Sequence, residues 1–407
     1  GDRVLLALGY GVDADGSPFT ADTPCGIYSA TKALTAFTLA ALVEDERVDV
    51  DAPLGAVLND APEDWRAIPF WRLLNHTSGI TTIIDKPVFE RLADDPTAGN
   101  AAVYDIVRTL PTDYAPGAYS RYRQSGYAVA EMILEERLGA PWPEIVARTL
   151  TEPAGATQTV HTDYARGKKE TAFLTSAGGY ETTAADAAQL FRALNAGSAA
   201  SPAFLEDMLY KDDYRFGDYS LGAILIDYGD VRSVGHQGGG RANLRYAPRR
   251  GVGVFVCTDD RSNNAVFVDA ADMLMRETAA GEATAPPVQM ALYPLEEKPA
   301  AAIIAAYEDA RDGGAYDMRA GERTINAIGY RLLGQDRLAD ATALFDFNVR
   351  EHPTSANAYD SLGEAAVAAG DLARARANYE RSLALDPQNT NAERMLEKIN
   401  IAADRDR

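Results

Sequence analysis

Ser29-Ala30-Thr31-Lys32-Ala33-Leu34-Thr35-Ala36-Phe37-Thr38-Leu39-Ala40-Ala41-Leu42-Val43-Glu44-Asp45-Glu46 is the stretch on which the reading of this chain turns. From Ala33 to Val43 it is the longest apolar run in the sequence, too short to span a bilayer and closed by three acids, as a buried helix would be. Ser29 and Lys32 stand just ahead of it. Residues three apart on a helix face the same way, so the hydroxyl and the amine come within reach of each other. With 14 Ser and 7 Lys in 407 positions, chance supplies about a quarter of one Ser-x-x-Lys, and this is the single occurrence. A helix N-terminus also offers free N–H groups and favours developing negative charge. The plain alternative is a capping serine beside a surface lysine.

Around this stretch, residues 3–11 read as a short apolar strand leading into the helix. Helical spacing recurs at 70–75, 101–110, 126–138 and 184–195, with loops rich in Pro and Gly between them. From Tyr214 the pattern turns to strands, at 221–228, 241–246 and 252–258, with turn signals at Gly229-Asp230 and Pro248-Arg249-Arg250-Gly251. Short turns between adjacent strands imply antiparallel pairing. A helix over 264–277 is followed by a linker at 279–299 that carries Gly281, Pro286, Pro287, Pro294 and Pro299. A second module spans 300–407. In it Ile325, Ile328, Gly329, Ala341, Phe345 and Pro353 recur 34 positions later as Tyr359, Leu362, Gly363, Ala375, Tyr379 and Pro387, a period that resembles tetratricopeptide repeats at about 322–355 and 356–389. Two such repeats need caps, for which the helical text at 300–311 and 392–401 is available. Such a module offers either a concave surface for a protein partner or a structural appendage.

Three further constellations carry chemistry. Asn75-His76-Thr77-Ser78-Gly79 ends an amphipathic helix at a glycine turn and reads mainly as structure. Tyr122-Arg123-Gln124 precedes Ser125-Gly126-Tyr127 where a loop enters a helix; a tyrosine there either packs or relays a proton if nearby cations lower its pKa. Gly235-His236-Gln237-Gly238-Gly239-Gly240 lies on a strand, and its glycines either expose N–H groups to a bound atom or make a hairpin turn.

Composition sets limits. Acidic residues outnumber basic ones, 60 to 39, for a formal charge of −21, which disfavours nucleic acid and anionic membrane as partners. Four histidines without ligand spacing disfavour a metalloenzyme, and no Gly-x-Ser-x-Gly elbow supports a Ser-His-Asp hydrolase. No phosphate loop or dinucleotide fingerprint is present. Cys25 and Cys257 are far apart and match no zinc or redox spacing, so they read as free thiols rather than one disulfide. The chain opens at Gly1 without a charged-then-apolar leader, as a mature form or a fragment would, so its compartment is not read directly.

Taken together these residues resemble the serine β-lactamase and penicillin-binding protein superfamily, in its class C-like branch with serine esterases and D-Ala-D-Ala carboxypeptidases. The resemblance covers about residues 1–278. It rests on Ser29-x-x-Lys32, Asn75-His76-Thr77-Ser78-Gly79, the Tyr122 segment and His236-Gln237-Gly238, in the family's order. The text Ala177-Gly178-Gly179-Tyr180 and Thr182-Thr183-Ala184-Ala185-Asp186 fits the family's stretch before a helix. It implies an α+β fold of three layers, an antiparallel sheet flanked by helices with a helical subdomain between its halves, followed here by the all-α repeat module. It implies Ser29 as the acylated nucleophile, Lys32 and Tyr122 as the groups that move its proton, and the N–H groups of Ser29 and Gly239, beside Gly238, as the oxyanion hole. Which group is the general base stays open. No cofactor or metal is implied, the substrate is a small ester, amide or D-amino-acid peptide, and an extracytoplasmic location follows by family.

Two departures bear on the substrate. Tyr122-Arg123-Gln124 stands where the family has Tyr-x-Asn, so the amide expected to orient the substrate hangs from the longer Gln124. His236 stands where many members carry Lys, and an imidazole is cationic only below about pH 6.5 unless an acid raises it. These favour an esterase or peptidase over a dedicated β-lactamase, and leave a catalytically weak ligand-binding relative as the alternative. Members of the family also begin with a helix and a strand not visible here, so a chain truncated at its N-terminus is expected to show poor stability or edge-to-edge association.

Overall fold

The apolar text after Lys32 folds as helix α1 (Thr31–Glu44), and every residue from Thr31 to Leu42 is buried. A helix that is apolar on all sides is stable only when covered on all sides, and α1 therefore runs through the middle of its unit. The computed structural model describes residues 3–12, 16–83, 87–95, 98–162, 173–258, 264–282, 284–292 and 295–405. Two compact units divide the chain, Gly1–Ala283 and Thr284–Arg407.

In the first unit, a small antiparallel sheet joins β1 (Cys25–Gly26), β2 (Val160–His161) and β3 (Tyr180–Thr182) in the order β1-β3-β2. The main sheet pairs β4 (Tyr219–Ser220), β5 (Ala223–Tyr228), β6 (Val231–Gly238), β7 (Ala242–Ala247) and β8 (Val252–Cys257), antiparallel and in sequence order. Its register pairs Ile224 with Gly235 and His236 with Leu244. The expected turn at Gly229-Asp230 closes the β5–β6 hairpin with Gly229 at φ 61°, a conformation that glycine adopts without a Cβ clash. Around the sheets lie α2 (Trp71–Leu74), α3 (Asn100–Val107), α4 (Ser125–Leu138), α5 (Ala184–Asn195) and α6 (Asn264–Met275). One apolar core runs from α1 through Trp65, Trp142 and Phe191 to Tyr246 on β7. No disulfide joins Cys25 to Cys257.

The strand expected at 3–11 does not form; residues 3–10 carry no regular secondary structure. Phe19 N–H donates to the Gly11 carbonyl at 3.0 Å and Val12 bridges Pro18, so the segment turns back on itself rather than entering a sheet. Gly9 lies so close to Phe19 that a Cβ would sit 2.1 Å from its carbonyl oxygen. Gly1-Asp2 and Pro294, which entered the expectations for this segment and for the linker, lie outside the described residues.

The second unit is helical: α7 (Ala300–Gly313), α8 (Gly321–Gly334), α9 (Leu338–Glu351), α10 (Ala356–Ala368), α11 (Leu372–Leu385) and α12 (Thr390–Arg405). Ahead of α7, within the proline-bearing stretch, a turn of helix at Gln289–Leu292 buries Val288 and Leu292. The recurring residues have a packing reason. A Cβ on Gly329 of α8 would lie 2.5 Å from the Phe345 ring of α9, and one on Gly363 of α10 would lie 2.9 Å from the Tyr379 ring of α11. In each hairpin a glycine makes the hollow that the partner helix's aromatic fills.

Candidate active site

Ser29 sits in a 3-10 turn (Tyr28–Ala30) immediately before α1. The turn is tied to β3, since Ile27 N–H donates to the Tyr180 carbonyl at 2.9 Å. Its first residue, Tyr28, has φ 48°, a left-handed conformation that costs a non-glycine residue free energy and is found where a side chain must be aimed. Lys32, in the first turn of α1, is fully buried and its Nζ donates to the Ala177 carbonyl at 2.6 Å. Nζ also lies 4.9 Å from the ring centres of both Tyr122 and Tyr127. Burial pushes the amine well below its ordinary pKa, and among the described residues no carboxylate offsets it. The result is an amine that readily exists uncharged.

Tyr122 comes to this amine from the loop before α4. Its phenol oxygen is hydrogen-bonded by the side chains of Ser29 and Gln124, while burial outweighs both bonds and raises its pKa. The loop is held by the Asn75–Gly79 turn. Arg121 N–H donates to the His76 carbonyl, Arg123 N–H to His76 Nδ1 at 3.2 Å, and Ser120 Oγ to the Asn75 carbonyl. The Arg123 guanidinium turns away from the serine to pair with Asp113 at 2.6 Å. The middle residue of Tyr122-Arg123-Gln124 thus fastens the loop, and Gln124 keeps a buried Oε1 without a partner.

On the opposite side, the end of β6 presses against the turn that carries Ser29. A Cβ on Gly238 would fall 1.8 Å from the Ile27 carbonyl oxygen and 2.8 Å from Ala30 N; one on Gly239, at φ 55°, would meet the Tyr28 ring at 2.7 Å. Only glycines permit this approach of strand to turn. His236, buried just before them, uses both ring nitrogens within the protein: Nδ1 donates to the Gln237 carbonyl and Nε2 accepts from the Tyr219 hydroxyl at 3.0 Å. Burial first, and the Lys32 charge second, push its pKa down to about 3. No acid raises it, so His236 is a neutral imidazole near pH 7 rather than a substitute for a lysine cation.

The structure thus brings Ser29, Lys32, Tyr122, Gln124, His236, Gly238 and Gly239 to one place. It adds residues that sequence reasoning missed. His76, read as structural, does brace the loop, but its buried ring also packs at a tilt of 50° against Tyr122 and Tyr219, with ring centres 4.5 and 4.7 Å away. Tyr219 and the Ala177 carbonyl had no signal in any motif of their own. Only the Ala177-Gly178-Gly179 text, noted for its position before a helix, marked that neighbourhood.

The Beta-lactamase family model matches residues 1–280, and the chain belongs to that family. Among solved structures, the penicillin-binding protein from Bacillus halodurans is 21% identical with a TM-score of 0.51, covering 63% of this chain and 88% of that one. The octameric penicillin-binding protein homologue from Pyrococcus abyssi is 21% identical with a TM-score of 0.52, covering 69% and 72%. The D-stereospecific amidohydrolase from Streptomyces sp. is 21% identical with a TM-score of 0.47, covering 64% and 88%. At such identities the likeness is one of fold. No curated protein matches the chain.

Proposed function

We propose that the chain is a serine hydrolase that acts through a covalent acyl-enzyme on Ser29, taking small esters or amides or D-amino-acid peptides. The observation that carries this reading is the fully buried Lys32 amine, without a carboxylate partner among the described residues, beside a tyrosine whose oxygen receives the Ser29 hydroxyl. A general base near neutral pH must be unprotonated at rest. Burial lowers the Lys32 pKa and raises that of Tyr122, so the amine is the base and the phenol a relay. Ser29 Oγ attacks the carbonyl carbon as its proton passes to the Tyr122 oxygen and the phenol proton passes to Lys32 Nζ. The N–H groups of Ser29 and Gly239 receive the developing oxyanion, beside Gly238. The leaving group takes the proton back from Lys32, and water then attacks the Ser29 ester to release the acid. Gln124 orients the substrate with its Oε1 as acceptor.

His236 bears on the substrate class. A neutral imidazole committed to Tyr219 and Gln237 offers no cation to a carboxylate, which favours esters and amides over β-lactams as substrates for turnover. Residues 300–407 form, in this reading, a tetratricopeptide-like module with repeats at 322–355 and 356–389, joined through 279–299 and open to a protein partner; the recurring glycine–aromatic pairs support it. The test is steady-state hydrolysis of p-nitrophenyl esters and D-amino-acid p-nitroanilides. Ser29→Ala is expected to abolish turnover by a factor of about 10³ or more with unchanged thermal unfolding; a rate in Ser29→Ala equal to the parent's would refute the reading.

A further inference from the structure

Glu131 lies two turns into α4 and is buried to 1% exposure, yet among the described residues no basic side chain pairs with it. Its carboxylate is filled by neutral donors. Oε1 accepts from Asn100 Nδ2 at 2.8 Å and from Thr175 Oγ1 at 2.6 Å, and Oε2 accepts from Ser176 N–H at 2.7 Å. Asn100, in turn, accepts from Leu174 N–H through its Oδ1 at 3.1 Å. Leu174 has φ 63°, an unfavourable conformation for a leucine that persists only where its surroundings fix it. The Ala177 and Gly178 N–H groups both return to the Leu174 carbonyl, at 3.0 and 3.1 Å. Residues 174–178 are thus wound into a tight turn around one acceptor-only group.

The outer side of that turn faces α1. The Ser176 carbonyl accepts from Thr35 Oγ1 at 2.7 Å and the Ala177 carbonyl accepts from Lys32 Nζ at 2.6 Å. We propose that Glu131 is a positioning residue for Lys32: by winding residues 174–178, its carboxylate sets the Ala177 carbonyl that aims the amine and keeps water from it. The proposal rests on the reading of Lys32 as the proton acceptor for Ser29. Glutamine cannot replace the carboxylate here, because three donors converge on it and Asn100 is held in one amide orientation by Leu174; an NH₂ would meet a donor.

Among the described residues, the titratable groups that face Lys32 are Tyr122 and Tyr127, whose rings it approaches, and His76 and His236, which both feel its charge. Tyr180 feels the charge of Glu131, and burial raises the carboxyl's own pKa. At Lys32 burial is the single cause of the lowered pKa, and Glu131 exerts no direct charge effect on it. A loosened turn that admits water therefore moves the amine upward, towards its ordinary value.

The experiment follows the Lys32 side chain by NMR titration of 13C-lysine-labelled full-length protein, with Lys32→Met assigning the signal. In Glu131→Gln the Lys32 midpoint is expected to rise by half a pH unit or more. Thr175→Val, which removes one donor and leaves the carboxylate, is expected to give a smaller rise in the same direction and keeps the test open if Glu131→Gln does not fold. In parallel, ester hydrolysis by Glu131→Gln is expected to fall about tenfold or more in kcat with KM within twofold, and its acid limb to move to higher pH. An unmoved Lys32 midpoint in the folded variants overturns the proposal. A parent chain that hydrolyses none of the esters or amides defeats the hydrolase reading instead, and the Lys32 titration still decides whether Glu131 governs the amine.

Discussion

The buried imidazoles give the site a testable acid behaviour. His236 has a folded-state pKa pushed down to about 3, against about 6.5 in an unfolded chain. Between these values the unfolded state binds more protons, so stability is full above about pH 6.5 and is lost as pH falls towards 3. His76 is also pushed well below its ordinary value, by burial first and then by Lys32 and His236. A group so held contributes a slope of about 1.4 kcal/mol per pH unit between its folded and its unfolded pKa. Denaturant unfolding between pH 7 and pH 5 is therefore expected to show a loss of about 2 to 4 kcal/mol, roughly halved in His236→Gln; a pH-independent midpoint would show that neither ring is held neutral. At this scale the serine, the lysine and the tyrosine were legible as motifs. Tyr219, Glu131 and the Ala177 carbonyl were not, because each is brought in by tertiary contact and leaves no spacing in the sequence.

At the scale of elements, the close approach of β6 to the Ser29 turn is the most constrained feature. Gly238→Ala places a Cβ against backbone at 1.8 Å from the Ile27 oxygen, which no rotamer relieves. It is expected to cost about 2 kcal/mol or more of stability and to abolish acylation of Ser29, measured by denaturant unfolding and by covalent labelling. In the second unit, Gly363→Ala drives a Cβ into the Tyr379 ring at 2.9 Å, whereas Gly334→Ala meets nothing within 4 Å. Hydrogen exchange over α10 and α11 is expected to rise in the first, by an opening cost of about 1 to 3 kcal/mol, and exchange over α8 to be unchanged or slowed in the second. The same contrast explains what the sequence disclosed. Strands β5, β7 and β8 were readable from alternation and turn residues, α1 from its unbroken apolar text, and the helical hairpins from their 34-residue period. The strand at 3–11 was misread because apolar text specifies a strand only where a neighbouring edge pairs with it, and here the backbone folds back through Gly9 and Gly11.

For the whole molecule, the division into two units falls between Ala283 and Thr284, inside the stretch 279–299 read as a linker. No helix among the described residues is long and apolar enough to cross a membrane. The family assignment covers the first unit, and within it the Ser29 turn, the Tyr122 loop, the β6 end and the 174–178 turn come from four separated parts of the chain. Their convergence on one serine is the central claim, and the intact mass of the quenched protein tests it most directly. After brief incubation with a p-nitrophenyl ester or with benzylpenicillin, the parent chain is expected to carry a single acyl adduct, located at Ser29 by peptide mapping and absent from Ser29→Ala. An adduct that persists in Ser29→Ala, or ester turnover in the parent without any adduct at Ser29 under acid quench, would contradict it.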